Sequence, residues 1–384
     1  MLILRGKITY LLKHNSFILS IYKLIMGSML RFIGVFIRTD KNLVLVNSFG
    51  GHRYNDSPKV ITDYLHNNQI YNHLKIIWAF ENPDNFEIPF DKVKIDTWKY
   101  FYIALKAKYW ITNVNIERWL KFKKKSTIYL NTWHGIPLKF IGKTKKEDKC
   151  NFSNVDIFCY SGNYEEYIYM QGFSVKKESL LKSGMPRNDE LYCVEEEKIA
   201  RIKQSLNIPI NKKIILYVPT WRDSEDYGKS YTLQPSIDIS LWQKELEEYI
   251  MLFRLHPFTT RLTGIEFNDF VINVSDYANI NELMIIADIL ISDYSATIFD
   301  YSILERPIIS FTYDYDEYKA SRGFLFDLEK ELPGNVLRTQ YEVLDKIKTM
   351  NFIAESTKTR LFKNKFVEAG GNATEICVRA LFDK

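Results

Sequence analysis

Short apolar runs alternate with longer amphipathic segments along the chain from about residue 42. Runs such as 43–47 are too short for a buried helix and end at polar or glycine residues, which is typical of buried parallel strands. This alternation predicts an α/β fold with two parallel sheets whose faces are covered by helices. The predicted elements are strands at 43–47, 75–80, 110–112, 127–130, 155–160, 180–183, 213–218, 251–255, 270–273, 289–292 and 307–311, and helices from about 58, at 100–108, 164–171, 190–206, 281–287 and 297–304, and from 341 onwards.

The alternating pattern falls into two blocks, which are separated after the charged helix predicted at 190–206. Residues 207–211 are N-I-P-I-N, and the proline there cannot continue a helix. We therefore predict a Rossmann-like domain at 42–206 and a second one at 207–384 that ends in C-terminal helices. Ligands in such folds bind beyond the carboxyl ends of the strands, so a two-domain version predicts a site in the cleft between the domains.

The first 41 residues combine basic and apolar residues with a single acid, Asp40. Lys23 and Arg31 interrupt the apolar run before it reaches the roughly 20 residues that span a bilayer. No small-residue cleavage site follows, so we do not expect a removable signal peptide. Two interpretations remain, a basic amphipathic helix that lies in the membrane surface and a helix packed on its own domain. The basic residues are Arg5, Lys7, Lys13, Lys23, Arg31, Arg38 and Lys41.

Composition narrows the class of protein. The chain has 384 residues, of which 46% are apolar, so it can build two domains with cores. Its net charge of +5 is too small to indicate a nucleic-acid binder. Four scattered cysteines form no C-x-x-C pair, which argues against a zinc site or a disulfide scaffold and fits a reducing cytosol.

Polar junctions that contain Gly or Pro follow several of the predicted strands. The carboxyl ends of parallel strands are where a sheet presents its ligand contacts, so these junctions together indicate a binding cleft. They are T-W-H-G at 132–135, G-M-P-R-N-D at 184–189, P-T-W-R-D at 219–223, R-L-H-P at 254–257, and D-Y-S-A-T at 293–297, which opens the helix that carries Asp300.

The residue types at these junctions favour a phosphorylated ligand. Arg187, Arg222 and Arg254 can each donate two parallel hydrogen bonds to phosphate oxygens. Helix starts at 295–297 and 370–374 offer backbone N–H groups to an anion. The sequence contains no P-loop, no G-x-G-x-x-G and no H-E-x-x-H, and we identify no metal site in it. Cationic side chains would therefore carry the phosphate charge.

Each of these candidates also has a structural interpretation. His134 could be a turn histidine, although its place between a strand end and a glycine favours a general base. Arg222 could pair with a neighbouring aspartate on the surface. For Asp293 a capping role at the helix N-terminus is favoured, whereas Asp300, one to two turns into the helix, could hold a ligand hydroxyl.

Several long motifs resemble the CDP-glycerol:poly(glycerophosphate) glycerophosphotransferase family. They are T-W-H-G-I-P-L-K, G-M-P-R-N-D, I-L-Y-V-P-T-W-R, F-R-L-H-P, I-S-D-Y-S-A-T-I-F-D-Y and R-G-F-L-F-D-L-E-K-E-L-P-G, and N-S-F-G-G-H-R-Y-N-D-S-P-K precedes them. The resemblance implies a GT-B fold in a peripheral enzyme on the cytoplasmic face of the cell membrane. It implies a CDP-alditol donor, usually CDP-glycerol, and a hydroxyl acceptor on a lipid-linked teichoic acid or capsular chain.

The resemblance also implies roles for individual residues. In the first domain, on the acceptor side, His134 would be the catalytic histidine, and in the second, on the donor side, His256 would stabilise charge on the diphosphate. Ala296 stands where many members have a second serine and Ile136 where threonine is common, and either could reflect a different alditol. The implied donor contacts are Thr132, Trp133, Gly135, Ile136, Arg187, Pro219, Thr220, Arg222, Arg254, Ser295, Ala296 and Asp300.

The implied mechanism is phosphoryl transfer without a covalent intermediate, in which His134 takes the proton of the acceptor hydroxyl and CMP leaves. No cofactor is expected, and stimulation by Mg²⁺ is left open because no cluster of protein ligands indicates it. Three other functions remain open: a sugar-nucleotide glycosyltransferase of the same fold, a CDP-ribitol ribitolphosphotransferase, and a non-catalytic assembly partner that binds a nucleotide or glycan.

Overall fold

The computed structural model describes residues 15–144, 150–220, 222, 232–233, 236–255, 261–262 and 264–383. The predictions for Arg5, Lys7 and Lys13, and the role assigned to His256, therefore lie outside the described residues. The same holds for residues 221, 223 and 257 of the predicted junctions.

A parallel sheet of seven strands forms in the first half of the described chain, in the order β3-β2-β1-β4-β5-β6-β7. The order reverses between β1 and β4, which is where a fold of this kind opens a crevice for a ligand. Sequence analysis missed β3 because D-K-V-K has a single apolar residue. The strands are β1 (Asp40–Asn47), β2 (Lys75–Phe80), β3 (Asp91–Lys94), β4 (Ala107–Thr112), β5 (Ile128–Asn131), β6 (Ile157–Tyr160) and β7 (Leu180–Lys182).

A second parallel sheet of six strands forms in the other half of the described chain, in the order β12-β10-β8-β13-β14-β15. Here the order reverses between β8 and β13. Two very short strands, β9 (Thr232–Leu233) and β11 (Arg261–Leu262), pair separately. The six strands are β8 (Lys213–Val218), β10 (Tyr249–Phe253), β12 (Val271–Asn273), β13 (Ile289–Ser292), β14 (Ile308–Phe311) and β15 (Val336–Leu337).

Helices connect the strands and cover both sheets. Several begin at residues whose side chains accept a backbone N–H, such as Thr97, which bonds the N–H of Tyr100 at 3.2 Å. The helices are α1 (Ser16–Phe36), α2 (Asp56–Asn67), α3 (Trp98–Lys106), α4 (Asn163–Phe173), α5 (Glu196–Ser205), α6 (Ile239–Glu245), α7 (Ile280–Ile286), α8 (Thr297–Ser302), α9 (Tyr315–Arg322), α10 (Leu328–Glu331), α11 (Gln340–Thr349), α12 (Phe352–Phe366) and α13 (Ala373–Phe382).

Several helix boundaries differ from the prediction, and two of the differences have a clear local cause. The charged helix expected at 190–206 starts only at Glu196, because Pro186–Leu191 forms a separate 3₁₀ helix. The helix predicted at 164–171 continues to Phe173 as α4, and Ser174 adopts the left-handed conformation that closes it, with φ of 57°.

The last helix of the chain packs on the first sheet. Successive residues of a strand face opposite sides of its sheet, so Val44 and Val46 of β1 lie on the same face. Cys377, Val378 and Leu381 of α13 belong to the buried cluster on that face. The predicted division at residues 206 and 207 stays a prediction, but the expectation that all C-terminal helices belong with the second sheet is wrong for α13. Its apolar side covers a face that would otherwise meet water.

Helix α1 lies against the first sheet's domain. Leu30 is buried, and a Cβ added at Gly27 would lie 2.0 Å from the backbone oxygen of Leu120, so only glycine allows this close approach. By length and composition the segment Phe17–Phe36 is apolar enough to cross a membrane, although only 17% of it is buried. The expectation that Lys23 and Arg31 exclude such a helix is therefore wrong on these criteria.

Candidate active site

The loop that carries His134 leaves β5 through a sharp turn. Thr132 is buried, and its N–H donates to the backbone oxygen of Thr112 at 2.9 Å. The N–H of Trp133 donates to Oδ1 of Asn131 at 2.8 Å, and Trp133 adopts a left-handed φ of 55°. These contacts fix the backbone of Thr132 and Trp133, and this backbone positions His134 at the crevice.

The His134 ring is half-buried where the order of the first sheet reverses. Its Nδ1 lies 2.8 Å from the backbone oxygen of Asn113, just after β4, and its centroid lies 5.5 Å from that of Phe49, just after β1. Because a carbonyl oxygen only accepts, Nδ1 carries the proton and Nε2 keeps its lone pair. Burial lowers the pKa of His134, against the opposing effects of Asn113 and Asp56. The ring is therefore a neutral base at neutral pH.

Gly135 brings this loop against the second half of the chain. It has a φ of 145°, and an added Cβ would lie 2.9 Å from Cβ of Ala296 and 3.6 Å from Nη2 of Arg187. The next residue, Ile136, is buried in a core cluster formed largely by the second sheet and its helices. His134 therefore lies where the two halves of the described chain meet.

Arg187 is buried between two carboxylates. Its Nη1 lies 2.7 Å from Oδ2 of Asp56, and its Nη2 lies 2.8 Å from Oδ2 of Asp300. The other oxygen of Asp300 accepts from Nδ2 of Asn188 at 2.6 Å. Burial alone would lower the pKa of Arg187, but Asp300 and Asp56 hold it above its ordinary value. Each oxygen of Asp300 accepts a hydrogen bond from the protein, so this carboxylate joins the loop after β7 to α8. Its predicted contact with a ligand hydroxyl stays a prediction.

Arg222 is enclosed in a similar way. It donates to Asp314 through Nε at 2.5 Å and to Asp293 through Nη2 at 2.9 Å. Its guanidinium also lies 5.1 Å from the ring centroids of Tyr294 and Tyr318. Burial would lower the pKa of Arg222, but Asp293 and Asp314 raise it. Arg222 therefore pairs with Asp293 and Asp314 in a partly buried ring of acids and tyrosines, which differs from the alternative of a pairing with a neighbouring aspartate on the surface. Its predicted role in ligand binding stays a prediction.

Asp293 fastens the loop after β8. Its Oδ1 accepts from the N–H of Thr220 at 2.9 Å and from Oγ1 of Thr220 at 2.5 Å. Asp293 has a structural role, but it caps this loop and not the start of α8 as expected. Pro219 and Thr220 are both buried at this position. They can contribute to a ligand site through the shape of the backbone that Asp293 fixes.

Arg254 differs from the other two predicted arginines. It is 9% exposed, and Nη1 donates only to backbone oxygens, of Val274 at 3.1 Å and of Tyr277 at 2.7 Å. No carboxylate in the described part of the chain lies within ion-pair distance of it. Burial and the charge of Arg53 lower the pKa of Arg254 to about 10, against the opposing effect of Asp276. A buried cation without a counter-charge is costly, so among the three predicted arginines this is the guanidinium that its described surroundings leave available to an anionic ligand.

The two predicted helix starts have different surroundings. At the start of α8, the N–H of Thr297 donates to Oγ of Ser295 at 3.2 Å, and Ser295 and Ala296 are half-buried. At 370–374 the expected anion site is filled, because Asp189 accepts from the N–H groups of Ala373 and Thr374 at 2.9 and 2.8 Å. The protein's own carboxylate therefore occupies the start of α13.

No group of three or more His, Cys, Asp or Glu side chains that could hold a metal ion is present among the residues described. The expected absence of a cofactor, with Mg²⁺ left open, stays a prediction.

Comparison with known proteins assigns the chain to a family. A sequence profile of the CDP-Glycerol:Poly(glycerophosphate) glycerophosphotransferase family matches residues 29–383. The chain belongs to this family. The glycerophosphotransferase family and enzyme class predicted from the motifs are thereby confirmed.

Individual relatives agree with this assignment. The chain is 35% identical over 367 residues to the teichoic acid glycerol-phosphate transferase of Staphylococcus aureus, covering 88% of this chain and 92% of that protein. It is 34% identical over 340 residues to the teichoic acid poly(glycerol phosphate) polymerase of Staphylococcus epidermidis, covering 83% of this chain and 47% of the polymerase. The chain therefore spans about half the length of that second relative.

A solved structure of a variant of the wall teichoic acid polymerase TagF superposes with a TM-score of 0.81 at 30% identity, covering 93% of both chains. The predicted α/β fold of GT-B type with two parallel sheets is confirmed by this match and by the two sheets themselves. The roles assigned to single residues of this glycerophosphotransferase stay predictions.

Sequence reasoning missed residues that complete the site. Asp56 pairs with Arg187, Asn113 fixes the tautomer of His134, and Asp314 pairs with Arg222. Asp56 lies in the quoted N-D-S-P-K motif, and its left-handed φ of 63° sits at the start of α2. The position of Asp56 after β1 could have indicated a site residue. Its pairing with Arg187 could not be predicted from the sequence.

Proposed function

We propose that this glycerophosphotransferase transfers glycerol phosphate from CDP-glycerol to a hydroxyl of a lipid-linked wall teichoic acid acceptor and releases CMP. Family membership supports the reaction class. The single structural observation that carries the proposal is the His134 ring, which is neutral, fixed in one tautomer by Asn113 and placed at the crevice of the first sheet. The S. aureus relative is named a teichoic acid glycerol-phosphate transferase, which supports the same donor and acceptor class.

In the proposed reaction, the acceptor oxygen attacks the β-phosphorus of the donor while Nε2 of His134 removes its proton. A new phosphorus–oxygen bond forms, and the bond to the oxygen bridging the two phosphates breaks. CMP leaves with that electron pair. The Nδ1 proton stays on its hydrogen bond to Asn113, which stabilises the imidazolium that forms. General-base help of this kind contributes typically about 10²–10⁴-fold.

Arg254 is proposed to bind the donor diphosphate. Charge on the bridging oxygen increases as the bond breaks, and a preorganised buried cation stabilises that charge. Arg187 and Arg222 already have two carboxylate partners each, so they hold the loops after β7 and β8 in position. Among the three predicted arginines, the direct phosphate contact is therefore assigned to Arg254.

The test is CMP release by the purified full chain with a lipid-linked glycerol-phosphate acceptor. We expect CMP from CDP-glycerol, at least tenfold faster with acceptor than without it, and acceptor mass that grows by glycerol phosphate units. CDP-ribitol in place of CDP-glycerol separates the ribitolphosphotransferase alternative, and a UDP-sugar separates the glycosyltransferase alternative. Faster turnover of either replacement, or binding of CDP-glycerol without CMP release on any acceptor, would contradict the proposal.

We also propose that α1 attaches the enzyme to the membrane surface on the cytoplasmic side. Its outer side exposes large apolar side chains, including Phe32 at 67%, Val35 at 78% and Phe36 at 74%, while Leu30 packs inwards. An apolar helix face next to basic residues is typical of helices that lie in the bilayer interface. Flotation with vesicles tests this proposal. Replacing Phe32 and Phe36 by serine should release the protein from phosphatidylcholine vesicles, whereas serine at the exposed Tyr341, far along the chain in α11, should not.

A further inference from the structure

A basic cavity lies beside the C-terminal end of α1. Its volume is about 450 Å³, and it is lined by α1, by the segment leading into β1, and by the segment leading into β5. The polar groups in its wall are Arg31, Thr39, Lys123, Lys124, Lys125 and Ser126, and no acidic residue lines it. A cavity with this lining selects for an anion.

The charges in this cavity are only partly compensated. Lys123 pairs with Asp156 at 2.9 Å. Lys124 donates only to the backbone oxygen of Ile37, and burial lowers its pKa. Arg31 donates to Oγ of Ser28 at 2.9 Å. In the described chain, Arg31, Lys124 and Lys125 have no carboxylate partner within ion-pair distance, so the cavity keeps a net positive charge.

Hydroxyl groups add a second kind of contact. Oγ1 of Thr39 lies 2.8 Å from Oγ of Ser126, so one hydroxyl donates to the other and the second keeps a proton to donate. Three cationic side chains together with a hydroxyl donor suit the oxygens of a phosphate group.

The apolar surroundings indicate where that phosphate comes from. Val35 lines the cavity and is itself exposed, and Phe32 and Phe36 lie next to it on the outer side of α1. A charged cavity that borders exposed apolar side chains suits a molecule with a phosphate head and an apolar tail. A free phosphate would make no contact with these apolar side chains.

The cavity is separate from the candidate active site. Thr39 and Ser126 come just before β1 and β5, whereas Phe49 and His134 follow the carboxyl ends of the same strands. At about 3.3 Å per residue, the eight residues of β1 place the two sites roughly 25 Å apart.

We propose that this cavity binds the phosphate of an anionic phospholipid at the membrane surface. The inference rests on the proposed attachment of α1 and goes beyond it, because it assigns a head-group site and a preference for anionic lipid. It also orients the enzyme, with the amino ends of the first sheet's strands towards the bilayer and the catalytic crevice away from it.

The test compares flotation of the full chain with phosphatidylcholine vesicles and with vesicles that also contain phosphatidylglycerol. The double variant Arg31→Gln with Lys125→Gln removes two cavity charges. The control is Lys94→Gln with Lys99→Gln, which removes two exposed charges at the carboxyl end of β3, on the side of the sheet away from the cavity. Each basic residue near an anionic surface contributes about fivefold, so we expect about 30-fold weaker binding of the cavity variant to the anionic vesicles. Its binding to phosphatidylcholine should be unchanged, and the control should bind like wild type.

The single variant Lys124→Gln removes one cavity charge and should weaken binding to the anionic vesicles about fivefold.

A second arm uses soluble probes, dihexanoyl phosphatidylglycerol and inorganic phosphate, with binding measured by titration calorimetry. Saturable binding of the short lipid that is at least tenfold tighter than that of phosphate, and lost in the cavity variant, supports the proposal. Equal binding of both probes would overturn the lipid assignment in favour of a free phosphate. Wild-type protein that floats with phosphatidylcholine but shows no loss in the cavity variant would overturn the cavity and leave the attachment of α1 intact. Protein that floats with neither vesicle would overturn the attachment itself.

Discussion

The surroundings of Arg187 and of Arg254 differ in one respect, although both residues follow strands at the cleft. Arg187 has carboxylate partners on both sides, Asp56 and Asp300, within 2.8 Å. Arg254 is buried, and among the described residues it donates only to backbone oxygens. The first region is electrostatically complete without a ligand, and the second is not. A buried arginine therefore indicates a ligand only when its own protein leaves it without a counter-charge.

This difference predicts which property a substitution changes in each region, the stability of the fold or the binding of a ligand. In the Arg187 region, ion pairs join elements that are distant in sequence. A substitution there should therefore change the stability of the fold more than ligand binding. In the Arg254 region the cost of burying a charge remains uncompensated, so a change there affects ligand binding first. A change at His134 should affect turnover alone.

The largest effect is expected for His134→Ala. Loss of the general base should lower kcat for CMP release by about 10²–10⁴-fold, while KM for CDP-glycerol changes little. His73→Ala is the matched control, since that ring bonds only the backbone oxygen of Ile70 on an exposed turn. A folded His134→Ala enzyme with turnover within threefold of wild type would remove His134 from the mechanism.

Arg187→Met should show the structural side of the comparison. Removing the cation leaves Asp56 and Asp300 buried with an uncompensated charge, which typically costs about 3–5 kcal/mol. The midpoint of urea unfolding should fall accordingly. Unchanged stability together with a raised KM for CDP-glycerol would show that Arg187 contacts the ligand, as proposed for Arg254. The proposed difference between the two arginines would then be wrong.

Arg254→Met should show the opposite pattern. The free energy of unfolding should stay equal or rise, because an unpaired buried charge has been removed. KM for CDP-glycerol should increase about 10- to 100-fold, since hydrogen bonds to charged groups contribute about 1.5–3 kcal/mol. Calorimetric binding of CDP-glycerol and urea unfolding on the same sample check both parts. A destabilised variant that binds the donor normally would contradict the assignment.

The smallest effect is the pH dependence. Burial lowers the pKa of His134, so the base loses its proton at lower pH than a free histidine, whose pKa is about 6.5. The acid limb of kcat/KM should have its midpoint below about 6.5, with less than a twofold change between about pH 7 and pH 8. A midpoint above neutrality would mean that the ring is stabilised as the cation and is not the resting base.

Much of the fold was predictable because its signals are local. The run K-I-I-W-A-F predicts β2 over the same residues, 75–80, that the structure assigns, since a continuous apolar run between polar residues is typical of a buried strand. β3 was not predictable in this way, because Val93 is its single buried side chain and its place comes from pairing with β2.

The site was predictable in position but not in pairing. Strand ends located the loops that carry His134, Arg187 and Arg254. Which arginine is already neutralised depends on partners far along the chain, since Asp56 is 131 residues from Arg187 and Asp314 is 92 residues from Arg222. Such separations leave no periodic signal in the sequence, so only the tertiary structure distinguishes a framework arginine from a ligand-binding one.

The packing of α13 on the first sheet has a consequence for how the protein is made. The seventh strand ends at Lys182, but the helix that covers Val44 and Val46 starts only at Ala373, roughly 190 residues later. At about 5–20 residues per second, a ribosome takes about 10 to 40 s to cover that distance. Until α13 has been synthesised, the nascent first sheet therefore has, among the described helices, only α2 to cover this apolar face, and part of the face stays exposed to solvent.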